Sequence, residues 1–230
     1  RQFVLDQCYV QGNPQFCTEQ FITRRPGQEG PNSPGSIEFI NSTVTNSGGL
    51  KAEGIDFTMS YRQNLENWGL AGNLNARFAY THNIKNYVIP LPGSDIDEGR
   101  GEIGSIPKDK ATGQISYGIG PFTGIFRGSW IGPLILDDQF VNGFRDADGN
   151  LPDGISESDF KVGDDFVFDI QVRWAPGDNY EVYFGGVNLF DNAAPLIPTL
   201  LPGTNTGVET DAGNYDAIGR RYYAGATLKF

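Results

Sequence analysis

The feature that most limits what this chain can become is a period of two. Over residues 165–174 the side chains Phe166, Phe168, Ile170, Val172 and Trp174 alternate with positions that include Asp165, Asp169, Gln171 and Arg173. Successive residues of an extended strand point to opposite faces, so this stretch reads as a strand with one apolar and one polar side. The pattern recurs along the chain. Ile55, Phe57, Met59 and Tyr61 oppose Asp56, Thr58, Ser60 and Arg62, and in 68–80 Trp68, Leu70, Leu74, Ala76, Phe78 and Tyr80 oppose Asn73, Asn75 and Arg77. Residues 111–119 and 122–130 alternate likewise, as do 180–184 and the closing stretch 221–230. Charges within these strands fall on one face.

The connections alternate too. Short turns lie at 63–67, Gly120-Pro121 and 175–179, and long polar loops at 81–107, 136–164 and 191–218. Loops of that length are unusual inside a compact water-soluble domain. Short turns at one end and long loops at the other are the habit of outer-membrane barrels, where turns face the periplasm and loops the outside. Aromatic side chains then fall at two levels. Trp68, Trp174, Tyr180, Phe122, Tyr61 and Phe230 lie towards the turns, and Trp130, Tyr80, Phe190 and Tyr222 towards the loops, as rings at two lipid–water interfaces would. The expected fold is all-β: an antiparallel transmembrane β-barrel segment of seven up-and-down strands with long extracellular loops, or eight if residues 1–6 are the tail of another strand.

Composition enters where it excludes. No apolar run approaches the roughly 20 residues of a membrane helix. A mean hydropathy of -0.35 does not count against strands, which need only every second residue apolar. A net charge of -11 leaves no basic stripe for nucleic acid. Residue 1 is Arg and no signal peptide follows, so a processed chain or a piece of a longer one is expected. Cys8 and Cys17 flank a loop containing Gly12, Asn13 and Pro14, which suits a disulfide in an oxidising compartment, with two free thiols as the alternative. Thr18 to Ser36 reads as loop. Alternation fails after Gly185-Gly186, where a bulge or the edge of the apolar band is expected.

Candidate sites are sparse. Asp146, Asp148 and Asn150 place oxygen ligands at alternate positions, but the glycine is misplaced for a calcium loop and no bidentate Glu follows, so a polar turn competes. The acidic residues Asp95, Asp97, Glu98, Asp137, Asp138, Asp159 and Asp164 lie in long loops, solvated or bridged to lipopolysaccharide by divalent ions. His82 is the only histidine and no Gly-x-Ser-x-Gly is present, which argues against an enzyme. Nothing calls for a cofactor. The polar face carries Arg62, Arg77, Arg127, Asp169, Arg173, Glu181 and Lys229, expected to face a lumen.

Three stretches resemble a known family. Asn46-Ser-Gly-Gly-Leu-Lys-Ala-Glu-Gly54-Ile-Asp56-Phe57, Gly185-Gly-Val-Asn188-Leu-Phe190-Asp191 and Gly219-Arg-Arg-Tyr-Tyr-Ala-Gly-Ala-Thr-Leu-Lys-Phe230 are similar, in order and spacing, to the C-terminal barrel segments of TonB-dependent outer-membrane receptors. The Cys8–Cys17 loop also resembles a feature of some proteobacterial members. The resemblance implies a barrel of about 22 strands around a plug. It also implies a location in the outer membrane of a Gram-negative bacterium and active uptake of a siderophore, cobalamin or oligosaccharide energised by the TonB complex through a plug absent from this chain. Tyr223, Gly225, Leu228 and Phe230 fit the signal read by the barrel-assembly machinery, by pairing of an exposed strand edge. Lipopolysaccharide and outer-membrane lipid are the other implied partners, with the small solute as ligand.

Two other readings compete. A complete eight-stranded barrel with a structural or adhesive role needs residues 1–6 to be a strand paired with the last one. A secreted calcium-dependent β-sandwich needs Phe126 and Phe168 buried.

Overall fold

The computed structural model describes residues 2–28, 31–41, 48–89, 96–197 and 209–229. The chain divides into two units, Arg1–Leu50 with Val88–Asp97 and Lys51–Tyr87 with Glu98–Phe230. The first unit opens with a short helix, α1 (Gln2–Leu5), which runs on as a wider helical turn over Asp6–Val10. These residues are helical, not the tail of a strand, and the eight-stranded barrel therefore lacks its eighth strand. The reason is local. Val4 and Cys8, four residues apart, share a helix face and are buried with Ile22. Phe3, Leu5, Phe16 and Phe21 pack around them, with the Phe16 and Phe21 rings 5.0 Å apart. Cys8 and Cys17 are joined as a disulfide that closes this loop. Within the stretch expected to be loop, β1 (Ile22–Arg24) forms and pairs antiparallel with β2 (Ile37–Ile40), which follows it.

The second unit is built on one antiparallel sheet. Its members are β3 (Gly49–Asn64), β4 (Asn73–Ile89), β6 (Asp109–Ile119), β7 (Phe122–Ile131), β10 (Asp165–Trp174), β11 (Tyr180–Val187) and β12 (Arg221–Leu228), each beside its predecessor in this series; short β5 (Asp97–Glu98) adds to β4. These are the seven expected strands in the expected up-and-down order. The sheet does not close, and β3 and β12 are its edges. Strand β4 extends to Ile89, well past Tyr80, while 65–68 form a 3-10 turn, so Trp68 belongs to the connection and not to the strand. Gly120, with φ +52, supplies the left-handed residue of the two-residue turn joining β6 to β7.

Register fixes the two faces. Arg77, Gln114, Arg127 and Asp169 are cross-strand partners in one row; Ala76, Ile115, Phe126, Ile170, Gly186 and Tyr222 form a row on the other side. Nothing covers the apolar side among the described residues: Ile115 is 52% exposed, Phe166 50% and Phe184 57%. A sandwich core is excluded, since Phe126 is itself 39% exposed. Leaving each such side chain in water forgoes about 1.5–3 kcal/mol, so an apolar sheet face of this extent is made for lipid. Aromatic pairs line it: Phe126 stacks on Phe168 at 5.6 Å, Phe184 on Tyr222 at 6.1 Å, and Trp174 meets Tyr180 edge-on at 6.0 Å. Tyr80, Trp130 and Phe166 lie along one line of partners at the loop end, with the Trp130 indole N–H donating to Asp164 at 2.9 Å. Tyr222 falls instead in the row of Ile170; strands of a barrel are tilted, so a register row is not a level in the membrane.

Of the two alternatives at Gly185-Gly186 the bulge is absent, since register is continuous there with both neighbours. The glycines answer to rings on the next strand. A Cβ on Gly185 would lie 2.3 Å from the Tyr223 ring, and one on Gly225 would lie 2.3 Å from that of Tyr183. Each tyrosine thus reaches over the glycine of its neighbour, and Tyr223 also donates to Gln171 at 2.8 Å. Gly185→Ala is expected to dislodge Tyr223, lose that bond and destabilise the protein by about 1–2 kcal/mol, read as a lower thermal midpoint in detergent. Gly177→Ala, where a Cβ meets open space, should leave the midpoint unchanged. Equal midpoints for the two variants would contradict this packing.

Candidate functional site

The three long connections do not behave as separate polar loops. Ile103 from the first, Leu134, Leu136, Val141 and Phe160 from the second, and Ile197 and Tyr215 from the third bury one another in a single cluster. Backbone bonds knit the first two: Ile103 N–H donates to Ile135 C=O and Ile135 N–H to Gly101 C=O, both at 2.9 Å. Within the second, β8 (Leu134–Ile135) pairs with β9 (Lys161–Val162), and α2 (Asp138–Asn142) begins where the Asp137 carboxylate accepts the Phe140 N–H. The loop end of the sheet therefore carries a packed cap.

Asp211 holds the third loop to the first. Its carboxylate is 3% exposed and accepts the N–H of Gly104 at 2.9 Å, the N–H of Gly213 at 3.1 Å and the Asn214 amide at 2.6 Å. The Asn214 amide also reaches Ser105 C=O at 2.9 Å. A second clasp ends β11. Asn188, fully buried with φ +52, accepts the Asn192 N–H and donates to its carbonyl, both at 2.8 Å, while its own N–H donates to Asp169 at 3.1 Å. Asn and Asp tolerate left-handed backbone better than most residues, which explains Asn188 and Asp191 in this turn. The Asn192 amide bonds Asp165 at 2.7 Å, tying the turn back to β10.

Between cap and sheet lies a cleft of about 340 Å³. Its floor is the loop end of the polar face, with Ser129, Asp165, Asp169 and Arg221, and its roof is the segment Ala212–Asp216. Arg221 is committed to Asp216, at 2.9 and 2.8 Å to its two oxygens, and to Gly219 C=O at 3.1 Å. Asp165 and Asp169 each accept through one oxygen only among the described residues. Tyr215 lines the cleft at 4% exposure, yet its hydroxyl has no hydrogen-bond partner among those residues. Burial, with the Asp165 and Asp211 carboxylates nearby, pushes this phenol up to about 12, so it remains a donor throughout the physiological range.

The other polar-face residues are distributed along the wall. Arg62 and Arg77 are exposed, Arg127 donates to Gln114 at 3.2 Å, and Arg173 pairs with Glu181 at 3.4 Å at the turn end, where Lys229 also lies. Only Asp169 of the expected set reaches the cleft; Asp165, Tyr215, Asp216 and Arg221 were not singled out for it. The polar, aromatic run Asp211-Ala-Gly-Asn-Tyr-Asp216 inside a loop is the signal that marks it.

Asp146 is used locally. It accepts the N–H groups of Asn150 and Asp148, each at 2.9 Å, and these bonds, Asn150 foremost, hold its carboxyl below the usual range. Among the described residues no three metal-ligating side chains come together. His82 meets Asp109 at 2.6 Å, and Tyr80 donates to the same oxygen at 2.6 Å. Of the acidic loop residues, Glu98 accepts the Asn86 N–H and Asp159 caps the turn at Ser156. Asp97 and Asp138 sit in β5 and α2. Asp95, Asn46 and Phe230 lie outside the described residues. Tyr223, Gly225 and Leu228 lie on edge strand β12.

A family model described as TonB dependent receptor-like, beta-barrel matches residues 18–189. No curated protein and no solved structure matches the chain.

Asp211→Ala is expected to orphan the buried Gly104 and Gly213 N–H groups, at a cost of about 1–3 kcal/mol for each. Amide hydrogen exchange should rise at least about tenfold over 98–107 and 209–216 while β10 stays protected. Unchanged protection at Gly104 would show that Asp211 does not hold the cap.

Proposed function

We propose that this chain, which belongs to the TonB-dependent receptor β-barrel family, forms barrel wall and extracellular loops in a receptor that takes up one scarce solute across the outer membrane with energy supplied through TonB. The family are transporters, not enzymes, and are characteristic of the Gram-negative outer membrane. The observation that carries the reading is the family match together with a sheet whose two faces suit lipid on one side and a polar lumen on the other. TonB and a small solute are the partners the family implies.

The finer assignments fit this frame. The packed cap, at the end opposite the short turns, is where a solute arriving from outside meets the receptor. Siderophores, cobalamin and oligosaccharides are the solute classes to be tested. Edge strand β12 offers unpaired backbone groups for the barrel-assembly machinery, with Tyr223, Gly225 and Leu228 as the side chains read along it. Lipid contacts the apolar face, and the acidic loops suit lipopolysaccharide bridged by divalent cations.

The test is uptake by cells carrying the full receptor, using labelled ferric siderophores, cyanocobalamin and a set of oligosaccharides as probes. Accumulation of one probe that falls to background when TonB is deleted, or when a protonophore collapses the inner-membrane gradient, is the expected result. Accumulation that persists unchanged under both treatments would overturn the reading.

A further inference from the structure

Asp165, Asp169 and Asp216 are not arranged as a cation site. Each already accepts a hydrogen bond, from Asn192, Asn188 and Arg221 respectively, and among the described residues no three acidic groups converge on one point. The spare capacity is spread out. It consists of single carboxylate oxygens on Asp165 and Asp169, and the buried phenol of Tyr215, a donor with no partner among the described residues. Such a site wants a ligand whose groups both donate and accept and are themselves spread over several ångströms. Arg221 spends its Nη1 on Asp216 and Gly219 and its charge is paired with Asp216, while Asp165 and Asp169 add negative charge, so the lining offers no unpaired cation to an anionic chelate.

The wall below the cleft adds the second half. Tyr223 follows Arg221 by two residues on the same face of β12, hence about 7 Å further towards the turn end. It reaches over Gly185, as Tyr183 does over Gly225, and the two rings are 6.2 Å apart and tilted 58° to each other. Two tyrosines set over glycines present two tilted aromatic faces on the luminal side, beneath a pocket of dispersed acceptors. A ring with polar edges and apolar C–H faces matches both parts. The volume of about 340 Å³ lies near the low end of small-ligand sites, enough for one or two sugar rings.

We propose that the cleft under Ala212–Asp216 and the Tyr183–Tyr223 surface below it form a subsite on the luminal wall for a neutral saccharide. The hydroxyls bond Asp165, Asp169 and the Tyr215 phenol, and a neighbouring sugar ring lies on the tyrosines. The proposal rests on the import reading above and names the solute class within it.

The experiment is equilibrium binding to the purified full-length receptor in detergent, which needs no TonB. Probes are maltotriose, cellotriose, xylotriose and chitotriose, with ferrichrome and spermidine for the other chemistries. Saturable binding of at least one trisaccharide is expected, weakened about five- to tenfold by Tyr215→Phe, which removes a donor, and by Asp169→Asn, which replaces a charged acceptor oxygen with an amide nitrogen, each with little change in volume. Heat-modifiable gel mobility reports that each variant is folded. No binding of any trisaccharide by the folded receptor overturns the proposal, as does trisaccharide binding that neither variant alters. Binding of ferrichrome or spermidine alone also overturns it while leaving TonB-driven import intact. Uptake indifferent to TonB would instead remove the import reading.

Discussion

A strand that crosses hydrocarbon has no water to satisfy its N–H and C=O groups, so every one must be met by a neighbouring strand. That demand explains why register in this sheet is continuous. From β4 to β12 each residue of the shared core is matched across its neighbours, with no shift of register between β6 and β7, β7 and β10 or β11 and β12. Continuity has a second effect. Because side chains alternate, one slip would move Phe126, Phe168 and Ile170 to the polar face and Arg127 and Asp169 into lipid. The hydrogen-bond ladder and the partition of side chains therefore enforce each other.

The glycines and tyrosines of β11 and β12 show how the wall is finished where bulk must be kept low. Gly185 and Gly225 remove Cβ atoms beneath Tyr223 and Tyr183, and the rings return the lost contact area. One arrangement thus serves packing within the sheet and shapes the luminal surface. At the other end, apolar residues drawn from three loops make a packed cap that sets Tyr215 and Asp216 over Asp165 and Asp169. Its anchor is polar: Asp211 reaches across to Gly104 in a different loop.

The sheet was legible in the sequence because its determinant is local. Alternation in Asp165–Trp174 or Phe122–Ile131 needs only the residues themselves, and short turns against long loops set the direction. The cap was not legible, because Ile103, Leu134, Phe160, Ile197 and Tyr215 come from three separated loops and share no period. Helix α1 was missed because four residues are too few to separate a helical from an extended apolar run, and Phe3-Val4-Leu5 fits either. Gly185-Gly186 read as a bulge or the edge of the apolar band because the ring that requires Gly185 belongs to Tyr223 on another strand. The cleft escaped for the same kind of reason: of the seven residues expected to face a lumen only Asp169 lines it, and its meaning depends on a loop that folds over it.

The central claim is that this sheet is a barrel wall with lipid on one side and a polar lumen on the other. Spin labels placed singly from Phe166 to Arg173 in the full receptor, reconstituted into lipid vesicles, test it most directly through collision with oxygen and with a water-soluble nickel chelate. The account predicts period-two accessibility in opposite phase. Oxygen contact should peak at 166, 168, 170 and 172, and nickel contact at 167, 169, 171 and 173. Low oxygen contact at 168 and 170, as in a sandwich core, or a nickel profile in phase with that of oxygen, would contradict it.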